Sequence, residues 1–175
     1  MVNVSTEHEH RTDRGDSEPG DESAAALTDA LLTASRLLMG LSARSIAHVD
    51  DTITIPQFRT LVILSTRGPV KIAVLATELG VQPSTATRMV DRLVAAELLD
   101  RKPNPHSRRE QIIELTERGR TVVREVLARR RDEIAAVVAR MPAHDRAGLI
   151  GGLTAFSAAG GESVAGPGNE GYPAL

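Results

Sequence analysis

The chain has 175 residues, no cysteine, no tryptophan, and 21 Lys and Arg against 23 Asp and Glu, for a net charge of −2. The missing thiols exclude disulfides, thiolate metal sites and thiol-based redox sensing. The charge balance excludes a uniformly basic nucleic-acid coat, and three aromatic residues, Phe58, Phe156 and Tyr172, are too few to stack single-stranded bases.

In chain order, residues 1–23 read as a disordered acidic tail. Residues 1–22 hold seven acids against Arg11 and Arg14, so removing their −5 leaves +3 for the rest of the chain. This leader offers too little apolar surface to order itself. It lacks the basic start and apolar centre of a signal or transit peptide. His8 and His10 alternate with acids, which fits a solvated tail better than a metal site. Residues 24–47 follow as a long leucine-rich helix carrying Leu27, Leu31, Leu32, Leu38, Leu41 and Ile46, with Gly40 its only weak point. His48, Asp50 and Asp51 mark a polar break at its end. No stretch of ~18 uninterrupted apolar residues occurs, so no membrane partner is expected and a cytoplasmic location follows.

Residues of about 55–116 carry the informative chemistry. Ile72, Leu75, Ala76 and Leu79 recur at helical spacing. Gly80 then supplies the left-handed residue that commonly ends a helix. Pro83 suits the first position of the next helix, where its missing N–H costs nothing. From there Ala86, Met89, Val90, Leu93 and Val94 form one apolar face. The opposite face presents Ser84, Thr85, Thr87, Arg88, Asp91 and Arg92, hydroxyls and guanidinium groups of the kind that base edges and phosphates bind.

A hairpin follows. Leu98 and Leu99 begin one strand, and Gln111 to Leu115 return it with Ile112, Ile113 and Leu115 as apolar content. Between them PNPHSRRE is expected as a long loop, stiffened by Pro103 and Pro105 and holding Arg108 and Arg109 toward a groove, since a narrow minor groove attracts arginine. Arg101 and Lys102 at the hairpin base are placed for the sugar-phosphate backbone. Locally the balance is basic: residues 82–110 hold six basic against four acidic side chains.

These residues resemble the MarR-type regulators. The likeness rests on Pro56-Gln57-Phe58 with Leu61, Leu64 and Gly68, on LATELGVQPSTATRMVDRLVAAELL, and on RR-E-QIIELTERG, and it spans roughly residues 27–156. It implies a dimeric winged-helix transcription factor, usually a ligand-responsive repressor. It places Ser84, Thr85, Thr87 and Arg88 on the recognition helix and Arg109 in the minor groove. One departure stands out. The family usually has an aspartate two residues before that arginine, where this chain has Ser107, which removes a charge-assisted pair that helps aim the guanidinium.

Two more helices are expected, from Glu117 to about Met141 with Val123, Leu127, Ile134, Val137, Val138 and Met141 as its stripe, and from Ala143 to about Ala159 beyond Pro142. The Arg129-Arg130-Arg131 run reads as a solvated helix face. Residues 161–175 read as a flexible glycine-rich tail. The expected fold is therefore mainly α, a winged helix-turn-helix with a small β-hairpin wing, in a domain of residues 24–160. The helices at about 24–47 and 117–159 expose more apolar face than a small head can cover, so they are expected to dimerise the chain. Two recognition helices then lie about 34 Å apart and demand a near-palindromic site.

The functional expectation is a homodimeric, DNA-binding repressor released by a small ligand, with double-stranded DNA, itself and an effector as partners. Arg44, His48 and Phe58 are the candidate effector residues, at the junction of long helix and head. The alternative is a winged helix turned to protein binding or dimerisation without sequence-specific DNA binding. No constellation for catalysis, metal or cofactor is present: five scattered histidines, no HExxH, no GxSxG and no glycine-rich phosphate cradle.

Overall fold

A computed structural model describes residues 19–104 and 107–161, with side chains at 23–104 and 111–161. The acidic leader up to residue 18 and the tail from 162 lie outside the described residues. Helix α1 spans Pro19–Val49, starting five residues before the expected Ala24. Pro19 explains the earlier start, because its fixed φ suits a first helical turn and its absent N–H leaves no orphan donor.

The chain divides after Leu38 into two compact units. In the first, the α1 segment leaves Leu27, Leu32, Leu37 and Leu38 exposed, while the Thr28 and Thr33 hydroxyls donate back to the Ala24 and Asp29 carbonyls. No run of ~18 uninterrupted apolar residues occurs in α1, although by length and composition alone residues Ser23–Val49 are apolar enough to cross a membrane. Asp29, Arg36 and Arg44 interrupt that stretch, and a charge costs about 2.5–3.5 kcal/mol at the centre of a spanning helix.

The second unit holds the head. The last turns of α1 bury Leu41, Ser45 and Ile46. The helix then stops at a side-chain turn: the Asp50 carboxylate accepts from the Thr52 N–H at 3.0 Å and its hydroxyl at 2.6 Å. This is the polar break expected at His48–Asp51. Helix α2 (Ile55–Arg67) opens with a capping box, in which the Thr54 N–H donates to Gln57 Oε1 at 2.8 Å and the Gln57 N–H donates back to the Thr54 hydroxyl at 3.4 Å. Its inner face is Phe58, Leu61, Val62, Ile63 and Leu64.

Strand β1 (Val70–Lys71) leads into α3 (Ile72–Leu79), then α4 (Pro83–Ala95), strands β2 (Leu99–Asn104) and β3 (Ser107–Leu115), and helices α5 (Glu117–Ala139) and α6 (Ala143–Ala159). The strands form one antiparallel sheet in the order β1-β3-β2. Two features of it depart from the sequence expectation. The two-residue β1 adds a third strand, pairing Val70 with Ile113 and Lys71 with Ile112. The hairpin is also tighter than PNPHSRRE suggested, because Asn104 pairs with Ser107 while Pro103 pairs with Gln111. Residues 108–110 of β3 thus have no counterpart on β2 and form a bulge. Pro103 helps explain it: a proline cannot donate to the ladder, which an edge strand and a bulge tolerate.

One core joins these pieces, with Ile46 and Ile53, the α2 residues, Leu75, Leu79, Val90, Leu93, Leu98, Leu99, Ile113, Leu115, Val122, Val123 and Val126 all buried. The expected stripe on α5 splits accordingly. Val122, Val123 and Val126 face this core, whereas Ile134 and Val137 are half-buried and Val138 is exposed. Arg130 corrects the solvated-face expectation for 129–131: it is 9% exposed. It lies four residues after Val126 and seven after Val123, hence on the buried side of the helix. Helix α6 buries none of its residues. Arg146 on its first turns donates to the Met141 and Ala139 carbonyls and so closes the end of α5.

Candidate nucleic-acid interface

The turn between α3 and α4 positions the site. Gly80 takes left-handed backbone (φ 66, ψ 32). Its N–H donates to the Thr77 carbonyl and that of Val81 to the Ala76 carbonyl, both at 3.0 Å, which satisfies the last carbonyls of α3. Pro83 opens α4 two residues later. Ala86, Val90 and Leu93 are buried, so the helix can face the head in only one rotation. Thr60 on α2 adds a polar tie, its hydroxyl donating to the Met89 sulfur at 2.8 Å.

That rotation decides which expected contact residues reach solvent. Ser84, Thr85, Arg88, Asp91 and Arg92 are exposed. Among the described residues no carboxylate pairs with Arg88 or Arg92, so both guanidinium groups are available to an anion. Thr87 is half-buried, and its hydroxyl donates to the Pro83 carbonyl at 2.8 Å. Its donor is therefore used within the helix.

The hairpin base differs. Arg101 pairs with Asp91 of α4, and Lys102 pairs across the sheet with Glu114. The hydrogen bond and charge of Glu114 push the Lys102 pKa above its ordinary value. Both cations expected on phosphate are already matched by carboxylates. Their first role is to fix the hairpin, to α4 through Arg101 and to its own return strand through Lys102. Arg108 and Arg109 share the bulge of β3 by backbone, and their side chains, like that of Ser107, lie outside the described residues.

The three candidate effector residues sit in different settings. Phe58 is a core residue, Arg44 reaches toward Glu133 of α5 at 3.8 Å, and His48 is exposed near the end of α1. Core packing accounts for Phe58 without a ligand.

One structural residue gave no signal in the sequence. Helix α4 ends with the Glu97 N–H donating to the Val94 carbonyl and the Leu98 N–H to the Leu93 carbonyl, both at 2.9 Å. That pattern calls for glycine at its left-handed position, and the chain places Glu97 there with φ 60. Such a backbone costs about 1–3 kcal/mol for a residue with a side chain. The start of α5 clamps it. The Thr116 hydroxyl donates to the Glu97 carbonyl at 2.7 Å, and the Thr116 N–H donates to the Leu98 carbonyl at 3.1 Å. Gly119 makes the approach possible, since a Cβ there would sit 2.2 Å from the Leu98 carbonyl oxygen. Thr116 and Gly119, three residues apart, both belong to this clamp.

A helix, a glycine turn, a second helix with an open polar face and an antiparallel hairpin locked to it define a winged helix-turn-helix protein. The MarR family profile matches residues 53–111. RV1404 from Mycobacterium tuberculosis, a solved structure, is 64% identical, with a TM-score of 0.74 over 79% of this chain and 94% of that one. The HTH-type transcriptional repressor NicR of Pseudomonas putida is 41% identical over 70 residues, 40% of this chain and 44% of NicR. A MarR family protein from Bacillus stearothermophilus shares the fold at 24% identity, with a TM-score of 0.71 over 81% of this chain and 98% of its own. The chain spans about half the length of the curated relatives it matches. It belongs to the MarR family.

Proposed function

We propose that the protein is a DNA-binding transcriptional regulator acting as a homodimer. The observation that carries this reading is the contrast on one surface. Among the described residues no carboxylate pairs with Arg88 or Arg92, which stand beside Ser84 and Thr85 on α4, while the neighbouring wing base is internally neutralised. Guanidinium groups beside hydroxyls on a helix held rigidly by its buried face suit the major groove, where base edges offer donors and acceptors. The similarity to a named repressor supports regulation of transcription. Repression from a near-palindromic site and release by a small ligand extend the proposal. Release requires a ligand that prefers the arrangement of heads that does not fit DNA. The dimer is supported by exposed Leu149, Ile150, Leu153 and Phe156 on α6 and by the exposed leucines of α1.

The test is fluorescence anisotropy with a labelled duplex selected from a random-sequence pool by the protein itself, measured across a salt series. A DNA reader loses affinity steeply with salt, by a log–log slope of about −0.9 per phosphate contact. In the same assay Arg109→Ala is expected to cost about 1–3 kcal/mol. Selection of no duplex, or a flat salt response, would defeat the proposal in favour of a protein-binding module.

A further inference from the structure

The end of α4 carries a set of contacts that DNA binding alone does not use. Glycine at position 97 would suit the left-handed backbone better, but it would bring no carboxylate, and the carboxylate has a partner. Arg118 Nη1 lies 3.6 Å from Glu97 Oε2 while donating to the Ala96 carbonyl at 3.0 Å. Its other nitrogen, Nη2, lies 3.9 Å from Asp50 Oδ2. Asp50 is itself held by Thr52, through the latter's N–H and hydroxyl. One guanidinium on the first turn of α5 therefore ties together the carbonyl of Ala96, which caps α4, the residue that leads into β2, and the α1–α2 turn. The carbonyl end of a helix also favours a cation on its own account.

We propose that Glu97 and Arg118 are positioning residues: a charge latch that fixes recognition helix and wing against the α1–α2 turn and sets the angle at which the head meets DNA. The DNA half of this claim rests on the function proposed above. The carboxylates of Glu97 and Asp50 flank the guanidinium and hold it over the Ala96 carbonyl. The Thr116 contacts hold the strained backbone at Glu97, and the side chain it carries adds the latch.

Amide hydrogen exchange at Ala96, Glu97 and Leu98 in the full chain, without DNA, tests the latch. Glu97→Gln keeps the size and the strain and removes only the charge. It is expected to speed exchange about two- to fivefold, as is Arg118→Met, with the double variant no faster than Arg118→Met alone. If Glu97 is merely tolerated, Glu97→Gln will match the parent, and that result overturns the latch. The second arm uses a duplex selected by the parent from a random pool. There Glu97→Gln and Arg118→Met are expected to bind about three- to tenfold more weakly at fixed salt. Unchanged affinity beside faster exchange overturns the positioning role. A parent that selects no duplex overturns the DNA-binding reading and the positioning role with it, while the exchange arm decides the latch independently.

Discussion

The head and the outer helices of this chain solve opposite problems with similar residues. The head closes on itself: α2, α3, α4, the sheet and the first half of α5 bury Leu61, Leu75, Val90, Leu93, Leu98 and Leu99 almost completely. Helix α6 is as apolar in composition, yet none of its residues is buried, and Ile150 is 69% exposed. The difference lies in where the partner surface comes from. In the head, neighbours in the same chain supply it through short turns. In α6 the same kind of side chain is left for another surface, and each Å² of apolar area left wet costs on the order of 25 cal/mol. Apolar content therefore does not say where the core is. The connections decide that.

The largest expected effects break the head. Leu75→Ala removes a fully buried side chain from the middle of the core and is expected to cost about 2–5 kcal/mol, read as a lowered urea midpoint with an unchanged slope. If the comparison holds, α6 responds differently. Ile150→Glu together with Leu153→Glu is expected to halve the mass seen by sedimentation equilibrium while far-UV circular dichroism keeps the helical signature of the head. Loss of the head's fold in that double variant would show that the two regions are not separable. An unchanged mass would show that α6 is not the dimer surface.

The same contrast explains what the sequence made legible. The turn was readable because Gly80 and Pro83 each impose a backbone demand that few other residues meet. The inner face of α4 was readable because a period of 3.6 leaves one rotation that buries Ala86, Val90 and Leu93. The bulge at 108–110 was not, since register depends on which residues on two strands meet and a local pattern does not encode that. Glu97 was not, because a left-handed residue is announced only when it is glycine or asparagine. Arg130 misled by type: three arginines in a row look solvated, although the middle one continues the Val123 and Val126 face. Pairing was the deepest loss for the candidate site. Arg101 and Arg88 look alike in the sequence, and only the fold sets Asp91 against one of them.

That pairing gives a sharper test inside the interface. Arg88→Ala removes a guanidinium that has no carboxylate partner among the described residues, so it is expected to reduce the salt slope of DNA binding by about one unit. Arg101→Ala is expected to change the slope less, because Asp91 already neutralises that charge, and to act mainly by loosening the hairpin. Isothermal binding across four salt concentrations separates the two. Equal slope changes would mean that Arg101 leaves Asp91 for phosphate when DNA arrives.

The smallest expected effect belongs to Lys102. Its pKa is raised above the ordinary 10.5, first by the hydrogen bond to Glu114 and then by that carboxylate's charge. A lysine whose folded pKa is raised contributes stability that is fully present below its unfolded pKa and is lost as pH rises through the folded value. Lys102→Met should therefore melt slightly below the parent at pH 8, and the two melting curves should converge above about pH 10.5. Solvent keeps the difference small, because exposed ion pairs are screened and hold two long side chains still in return for little attraction. Melting scans from pH 8 upward would show the convergence. A gap that persists at high pH would assign the loss to packing of the lysine stem on β3 instead of to its charge.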